Sequence, residues 1–494
     1  MFNLRRWTLF LALAVLCIGT LQYLFLFNRH TSRALPAIVF APASFHPAPY
    51  PEAPHGLEAE AKKGQDWWHW DTPTKFGPGD KIEEGNECNT FPKELLGKIQ
   101  VVLKVGTADD HSRTKAQLAS VIKCIDNVLI LSDNNYTYGD SNHQAVDVLA
   151  SLPVETYLRK EDYAIYEAQR NISREDLKQG HEGEKLDKYK FLSGVEYAVE
   201  QRPGMEWFIF LESDTYMFWD NVFRLLENYD HDIPYYFGSP SQGRKRPNSD
   251  ETVWFANGGP GYILSHAAAH RLVDRQKNSV GVKGPRLSDE YSQEIRDDCC
   301  GDSTLGFALH DKADVSISGL WPMFNPHSLS GLPFGSGKKY WCEPVISLHK
   351  TSPEQMENLW QWEMQRNRSV RPLLYADLIE FTDLGRFMQR PDWDAADLDG
   401  YSRPDNNAAH KNLLSCEEAC QEDKECYQWT WHGRHCYMAK SMRLGHHRGP
   451  HGDFEEADRA FVSGWDTDKI RRYKRSHKCG DGPHWVKPSV KRRY

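Results

Sequence analysis

Two acidic residues, Glu212 and Asp214, come directly after the uncharged apolar run at residues 207–211. Such a run predicts a buried strand, and an open α/β sheet binds ligands just beyond the carboxyl ends of its strands. Carboxylates bind hard divalent cations such as Mg²⁺ and Mn²⁺, which commonly bridge to substrate phosphates. The two acids therefore predict a metal site at a strand end. The alternative is that they lie in a loop and cap the next helix, an ordinary place for acids.

Three further stretches carry residues suited to a binding site. Residues 257–261 contain three glycines and a proline, and such a loop lets the backbone approach a ligand closely. A plain tight turn fits the same composition. Asp302 precedes a helical run, where its side chain would cap the helix or face a pocket. His349 ends a short β-like run at residues 345–348, and a single histidine in such a place is more often structural than a ligand.

The surrounding sequence predicts strands that alternate with helices. Residues 101–105 and 127–131 are apolar runs typical of buried strands, and residues 111–125 between them have helical spacing. Strand, helix and strand in this order predict a βαβ unit and hence a parallel sheet. Its loops would open at the same edge as Glu212 and Asp214.

The alternation continues further along the chain. Residues 185–201 and 221–229 have apolar side chains at helical intervals, and residues 233–238 resemble another strand. The predicted fold class is therefore α/β with a mostly parallel sheet.

Size and composition set broad bounds on the function. The chain has 494 residues, of which 40% are hydrophobic, enough for two or three domains. Its formal net charge of −9 gives no global signal for binding nucleic acid or anionic membranes. The 11 cysteines favour an oxidising compartment.

The amino-terminal part predicts a membrane anchor. Residues 7–27 are uncharged and largely apolar, long enough to span a bilayer as a helix, whereas a cleaved signal peptide usually has a shorter apolar core. Asn135, Asn171 and Asn367 begin glycosylation sequons, which together with the cysteines favour a lumenal location for the bulk of the chain. Residues 28–95, rich in proline, alanine and histidine, would form a stem.

The carboxyl-terminal part differs from the rest of the chain in its clustered cysteines. Four cysteines lie close together, at positions 416, 420, 426 and 436. They favour a small domain held by disulfides over a zinc site, because the paired Cys-x2-Cys spacing usual for zinc is absent. The partners of the other cysteines cannot be read from the sequence. The basic tail at residues 479–494 is expected to be a solvated end.

Six segments in order carry a resemblance to a known family: VVLKVGTADDHSRTKAQLASVIKC, KYKFLSGVEYAVE, WFIFLESDTYMFWDNVFRLL, GGPGYILS, GDSTLG and SLHK. In this order they resemble the inverting β-1,3-glycosyltransferases of the core-1 galactosyltransferase and Fringe type, which form glycosyltransferase family 31. The chain is similar to a fungal branch of that family, and residues 405–478 resemble a PAN/Apple module. The resemblance implies a Rossmann-like nucleotide-sugar transferase fold of the GT-A type.

The resemblance also implies roles for individual residues. Glu212 and Asp214 match the Asp-x-Asp metal motif, with glutamate in place of the first aspartate, and His349 matches the late histidine of the metal site. Asp302 matches the general base. Three glycines match the turn beside the donor sugar and acceptor: Gly258, Gly259 and Gly261.

The implied function is a metal-dependent inverting transferase that moves a sugar from a UDP-sugar to a hydroxyl of a glycan or glycoprotein, with Mn²⁺ or Mg²⁺ as cofactor. Its expected place is the Golgi or secretory-pathway membrane, as a single-pass type II protein. The alternatives are a catalytically degenerate binding protein that acts through its PAN/Apple-like module, and a metal-dependent phosphodiester hydrolase. The expected domain bounds are 1–6 for a cytoplasmic tail, 7–27 for the anchor, 28–95 for the stem, 96–395 for the transferase, 405–478 for the module and 479–494 for the tail.

Overall fold

The structure is a computed structural model that describes residues 87–491, except 140–142, 173–182, 247, 278, 336–339, 367–370, 387, 456–457 and 481. All of these residues belong to one compact unit, Asp66–Tyr494. The predicted cytoplasmic tail, anchor and most of the stem lie outside the described residues. Among the described helices, none has the length and apolar character needed to cross a bilayer.

Twenty strands are present in the described residues. The first thirteen lie before residue 350: β1 Ile99–Lys104, β2 Val128–Ser132, β3 Tyr136–Tyr138, β4 His143–Asp147, β5 Trp207–Glu212, β6 Tyr216–Met217, β7 Tyr236–Gly238, β8 Pro240–Lys245, β9 Thr252–Ala256, β10 Tyr262–Ser265, β11 Ser318–Gly319, β12 Phe324–Asn325 and β13 Ser347–Leu348. The other seven lie in the carboxyl-terminal part: β14 Gln389–Pro391, β15 Trp393–Asp394, β16 Gly400–Tyr401, β17 Gln428–His432, β18 His435–Ala439, β19 His446–His447 and β20 Val462–Trp465.

An eight-stranded sheet in the order β11-β7-β10-β5-β1-β2-β4-β3 forms the centre of the described unit. The inner strands β5, β1, β2 and β4 are parallel, as the alternating sequence pattern predicts. The sheet as a whole is mixed, because β10 runs antiparallel to both β5 and β7, and β3 runs antiparallel to β4. Apolar runs such as residues 207–211 are buried because helices cover the sheet faces.

Fourteen α-helices occur in the described residues. They are α1 Lys93–Leu96, α2 His111–Ala119, α3 Val154–Tyr157, α4 Lys160–Arg170, α5 Lys190–Gln201, α6 Trp219–Glu227, α7 His266–Val273, α8 Leu287–Glu290, α9 Ser292–Asp297, α10 Gly301–Ala313, α11 Pro353–Gln365, α12 Tyr375–Phe381, α13 Leu413–Glu422 and α14 Thr467–Ser476. A 3₁₀ segment, Gly183–Tyr189, leads into α5.

One helix is shorter than the spacing of its apolar residues predicts. The pattern over residues 111–125 is that of one helix, but α2 ends at Ala119. Ser120 leaves the helical region, with φ −135° and ψ −90°, and the chain turns so that Val121 and Ile122 are buried. Cys124 is tied to Cys88 by a disulfide. Core packing therefore replaces the last turn of the predicted helix.

The carboxyl-terminal part forms a five-stranded sheet in the order β14-β20-β17-β18-β16, with α13 packed on it. Its four clustered cysteines form two disulfides, Cys416–Cys436 and Cys420–Cys426, and all four side chains are buried. The expectation that these four cysteines form disulfides is confirmed.

The basic tail is not simply a solvated end, as expected from its composition. Cys479 is bonded to Cys342, Trp485 is buried, and Ser489 exchanges two backbone hydrogen bonds of 2.9 Å with Gly319 in β11. Apolar and cysteine residues interspersed among the basic ones therefore hold the tail against the edge of the central sheet.

Candidate active site

Strand register brings the ends of β1 and β5 to the same edge of the sheet. The two strands are parallel, and Lys104 at the end of β1 lies beside Glu212 at the end of β5. Strand β10 is antiparallel to β5, so the loop that precedes Tyr262 also opens at this edge. The topology thus places the acids and the glycine loop together.

Glu212, Asp214 and His349 form a group able to hold a metal ion. One ligand atom from each lies within 4.8 Å of the others. Nε2 of His349 is 3.4 Å from Oδ1 of Asp214 and 4.0 Å from Oε2 of Glu212. Although burial opposes it, the hydrogen bond and charge of His349, with Arg113, lower the pKa of Asp214 below its usual value. The structure brings together the three residues predicted as metal ligands.

His349 reaches this group because a second small sheet brings it there. In that sheet β13 is antiparallel to β6, with Leu348 opposite Tyr216, so the next residue along β13 lies beside the acid loop. The backbone N–H of Thr351 donates to the carbonyl of Asp214 at 3.0 Å. A histidine more than 130 positions away in the sequence is thus fixed next to Asp214.

The glycine loop packs directly on the metal ligands. A side chain at Gly259 would run into the imidazole ring of His349, so only glycine fits there. Gly261 has φ +76°, and a Cβ on it would lie 2.7 Å from the carbonyl oxygen of Phe210. Thr215 donates its hydroxyl to the Gly259 carbonyl at 2.6 Å and accepts from the Glu212 N–H at 3.0 Å. The hydroxyl of Thr215 therefore joins the acid loop to the glycine loop.

Asp302 lies in the first turn of α10 and faces the same loop. Its Oδ2 accepts a hydrogen bond of 2.9 Å from the backbone N–H of Gly258. Burial raises the pKa of Asp302 above its usual value; the Gly258 N–H opposes the rise, and the negative charge of Glu212 adds to it. The predicted base and the predicted metal ligands thus belong to one electrostatic environment.

Several cations border the carboxylates. Nζ of Lys104 is 3.0 Å from Oε1 of Glu212 and 3.4 Å from Oδ2 of Asp187, and Arg113 lies 3.5 Å from Asp214. Lys190 is fully buried and pairs with Asp187 at 2.7 Å. Although burial opposes it, Lys104 and Lys190 lower the pKa of Asp187 to about 2.

Sequence reasoning missed these cations and one buried amide. Gln117 donates from its side chain to the backbone carbonyls of Glu212, Ser213 and Thr215, and so fixes the acid loop from α2. For Lys104 a signal was present, since it lies next to the end of the predicted strand at residues 101–105, whose loop was expected at this edge. For Gln117, nothing in the local pattern distinguishes it from a surface glutamine.

Comparison with known proteins matches a segment that contains most of the candidate site. Residues 156–330 match the family model described as Fringe-like. That segment includes Glu212, Asp214, the glycine loop and Asp302, whereas Lys104 and His349 lie outside it.

Three curated relatives carry glycosyltransferase names. Glycoprotein-N-acetylgalactosamine 3-beta-galactosyltransferase 1 from Xenopus laevis is 27% identical over 198 residues, 36% of this chain and 51% of that protein. Beta-1,3-N-acetylglucosaminyltransferase lunatic fringe from Danio rerio is 27% identical over 25% of this chain and 33% of that protein. Fringe glycosyltransferase from Drosophila melanogaster is 29% identical over 16% of this chain and 22% of that protein.

The match to the Xenopus relative spans about half of that protein, and the other two matches span less. A solved glycosyltransferase involved in glycosylation of the major capsid of PBCV-1 is similar over 53% of this chain and 99% of that chain, at 10% identity and a TM-score of 0.25. The family match and the curated relatives agree: residues 156–330 match a Fringe-like domain, and the relatives to which this chain is similar are named as glycosyltransferases.

Proposed function

We propose that the protein is a metal-dependent inverting glycosyltransferase with a GT-A type nucleotide-sugar fold. It would move a sugar from a UDP-sugar to a hydroxyl of a glycan or glycoprotein and form a β-1,3 linkage. The observation that carries the proposal is the position of Asp302. Its carboxylate accepts a hydrogen bond from the N–H of Gly258, and the next residue of that loop, Gly259, packs on the ring of His349. A candidate base and a candidate metal group therefore border one loop.

The donor set fits a hard divalent cation. Two carboxylates and one imidazole, with ligand atoms within 4.8 Å of one another, suit Mn²⁺ or Mg²⁺ better than a soft metal that prefers thiolates. The absence of any side chain at Gly259 leaves His349 its place in the group. Glu212, Asp214 and His349 would hold the cation, and Glu212 reaches it with one methylene more than an aspartate would. When bound, such a cation supplies Lewis-acid neutralisation of a departing diphosphate.

The chain's own residues can perform the proton transfer. Asp302 would accept the proton of the acceptor hydroxyl as that oxygen attacks the anomeric carbon of the donor sugar. Its Oδ2 is held by Gly258, and burial makes the carboxylate a better proton acceptor. Lys104, Lys190 and Arg113 pair with neighbouring carboxylates and so offset part of the negative charge at this edge.

The location proposed is a Golgi or secretory-pathway membrane, with the described unit in the lumen and residues 7–27 as a type II anchor. Five disulfides in the described residues favour an oxidising compartment. Two of the three sequon asparagines, Asn135 and Asn171, are exposed, as glycosylation requires. Asn367 lies outside the described residues. The carboxyl-terminal disulfide-held sheet is proposed to be the PAN/Apple-like module.

The test is donor turnover by the full-length chain in detergent. UDP-galactose, UDP-N-acetylglucosamine and UDP-glucose would each be supplied with Mn²⁺ or with EDTA, and UDP release measured with a panel of glycan acceptors. We expect metal-dependent UDP release with at least one donor. Release of a nucleoside monophosphate would instead indicate a phosphodiester hydrolase. No turnover above the Asp214→Ala variant would favour a degenerate binding protein that acts through its module.

A further inference from the structure

Phe191 lies where the metal group and the base meet. It is the second residue of α5, and its side chain is 6% exposed. Lys104, Glu212, Gly258 and Tyr262 line the same small cavity as Phe191. The ring therefore has one neighbour from each of the strand ends β1 and β5, from the glycine loop and from β10.

On the metal side, the ring supports Lys104. Nζ of Lys104 lies 4.3 Å from the ring centroid, within reach of a cation–π interaction, and 3.0 Å from Oε1 of Glu212. The other carboxylate oxygen of Glu212 faces His349. Since one oxygen is held by Lys104, the orientation of Glu212 depends on where the ring holds that ammonium group.

On the base side, the ring contacts two glycines that flank Asp302. A Cβ built on Gly258 would lie 3.0 Å from Cζ of Phe191, and one built on Gly301 would clash with Cδ2 of the same ring. Gly258 donates its N–H to Asp302, and Gly301 is the residue before it. The ring of Tyr262 stacks on that of Phe191, with centroids 6.2 Å apart and an interplanar angle of 16°, which further limits how far the Phe191 ring can tilt.

We propose that Phe191 is a positioning residue that holds the carboxylate of Asp302 and that of Glu212 at a fixed separation. The proposal rests on the proposed function. A planar ring packed on glycine backbones transmits position because it fills its space with few rotatable bonds. Displacement of a catalytic group by about 1 Å can cost about 100-fold in rate.

The first experiment measures local opening of the backbone around Gly258 and Asp302 and does not depend on enzymatic activity. Hydrogen exchange of the full-length chain is followed in peptides that cover residues 255–262 and 299–305, for wild type, Phe191→Leu and Phe237→Leu. Phe237 is a fully buried ring in β7 and serves as the matched control. We expect exchange in both peptides to rise by about tenfold in Phe191→Leu alone, because local opening becomes easier. Unchanged exchange, or an equal rise in Phe237→Leu, would overturn the proposal.

The second experiment separates positioning from binding. In Phe191→Leu we expect kcat to fall by about tenfold or more, with KM for the UDP-sugar within about twofold of wild type. Phe237→Leu should leave kcat unchanged. An unaltered kcat, or a loss confined to KM, would overturn the proposal. If Phe191→Leu does not fold, Phe191→Met, which preserves more volume, takes its place.

The two experiments distinguish the proposals from each other. Absence of turnover in the wild-type chain would remove the proposed function, while the exchange measurement would still decide whether Phe191 fixes Gly258 and Asp302. Normal wild-type turnover with unchanged exchange in Phe191→Leu would remove only the role of Phe191.

Discussion

At the residue scale, the role proposed for each carboxylate follows from its ion-pair and hydrogen-bond partners. The carboxylate of Asp214 lies within 4.0 Å of His349 and Arg113. The carboxylate of Glu212 lies within 4.0 Å of Lys104 and His349. Asp302 accepts hydrogen bonds from the backbone N–H groups of Gly258 and Ser303 and has the carboxylate of Glu212 as a neighbour. Cationic partners favour the charged form and a role in binding a cation, whereas burial beside Glu212 favours proton acceptance.

Replacement of Asp214 by alanine should abolish metal-dependent turnover. The variant loses the ligand atom 3.4 Å from His349, and we expect UDP release to fall by at least about 100-fold. Mn²⁺ affinity, measured by calorimetry, should fall with it. Asp250→Ala removes a fully exposed carboxylate and is the control. Wild-type turnover in Asp214→Ala would take this residue out of the site.

Replacement of Asp302 by asparagine should lower kcat by about 10²–10⁴-fold while the affinity for UDP-sugar is kept. The amide oxygen can still accept from the Gly258 N–H, so the loop should hold, while the hydrogen bond from the Ser303 N–H to the other carboxylate oxygen is lost. The folded-state pKa of Asp302 is raised, so its ionisation opposes folding above the unfolded pKa, and the variant should be no less stable at neutral pH. A variant that loses donor affinity as much as kcat would assign Asp302 to binding.

The raised pKa of Asp302 should also set the acidic limb of the pH–rate profile. A base must be ionised to accept a proton, so kcat should rise with pH through the pKa of Asp302. Because burial is the main cause of the shift, the midpoint should lie above the usual aspartate value of about 3.9. Steady-state rates between pH 4 and 8 would locate it. A limb centred below about pH 3.9 would contradict the assignment.

At the scale of elements, the acid loop depends on α2 as well as on its own strand. Gln117 is fully buried and donates to three carbonyls of the loop at residues 212–215. Asp110 caps the start of α2 by accepting from the Ser112 N–H at 2.9 Å, which fixes where that helix begins.

Replacement of Gln117 by alanine should therefore lower stability and metal affinity together. Loss of the amide removes one donor from each of these carbonyls, at a cost of about 1–3 kcal/mol in the free energy of unfolding. Urea unfolding and Mn²⁺ calorimetry on the same sample would measure both. Gln144→Ala, at an exposed position in β4, is the control. A Gln117→Ala variant that kept wild-type metal affinity would show that β5 alone holds the loop.

At the scale of the whole molecule, the carboxyl-terminal sheet packs against the part that carries the candidate site, although each has its own hydrophobic cluster. Phe334 and Met442 exchange two backbone hydrogen bonds of 2.9 Å, and the indole of Trp341 packs edge-on against Tyr473 at 4.8 Å. The Cys342–Cys479 disulfide closes a span of 137 residues across the same contact. The module is thus packed as part of one compact unit.

Deletion of residues 396–494 should destabilise the transferase part. Phe334 and Trp341 are buried, and exposing two large apolar side chains costs about 3–6 kcal/mol, comparable with the stability of a typical domain. Thermal unfolding and soluble yield would measure the effect. A control with Cys342→Ser and Cys479→Ser keeps the packing and should lose only about 2–4 kcal/mol. A truncated chain with the wild-type unfolding temperature would show that the module is independent.

The sequence by itself determined the strands and the residues able to do chemistry. Apolar runs fix β1, β2 and β5, and the acids after β5 follow from where such a run ends. The ordered motifs at Glu212, the glycine loop, Asp302 and His349 also identified the family. Local patterns of this kind suffice because a parallel βαβ sheet opens its loops at one edge.

Only the tertiary structure decided which of these residues meet. The antiparallel pairing of β10 with β5 and of β13 with β6 brings the glycine loop and His349 to the acids, and no periodicity encodes that register. The early end of α2, the packed tail and the positions of Gln117 and Phe191 likewise depend on contacts between residues far apart in sequence. Their physical origin is core packing, which is a property of the assembled chain rather than of any one segment.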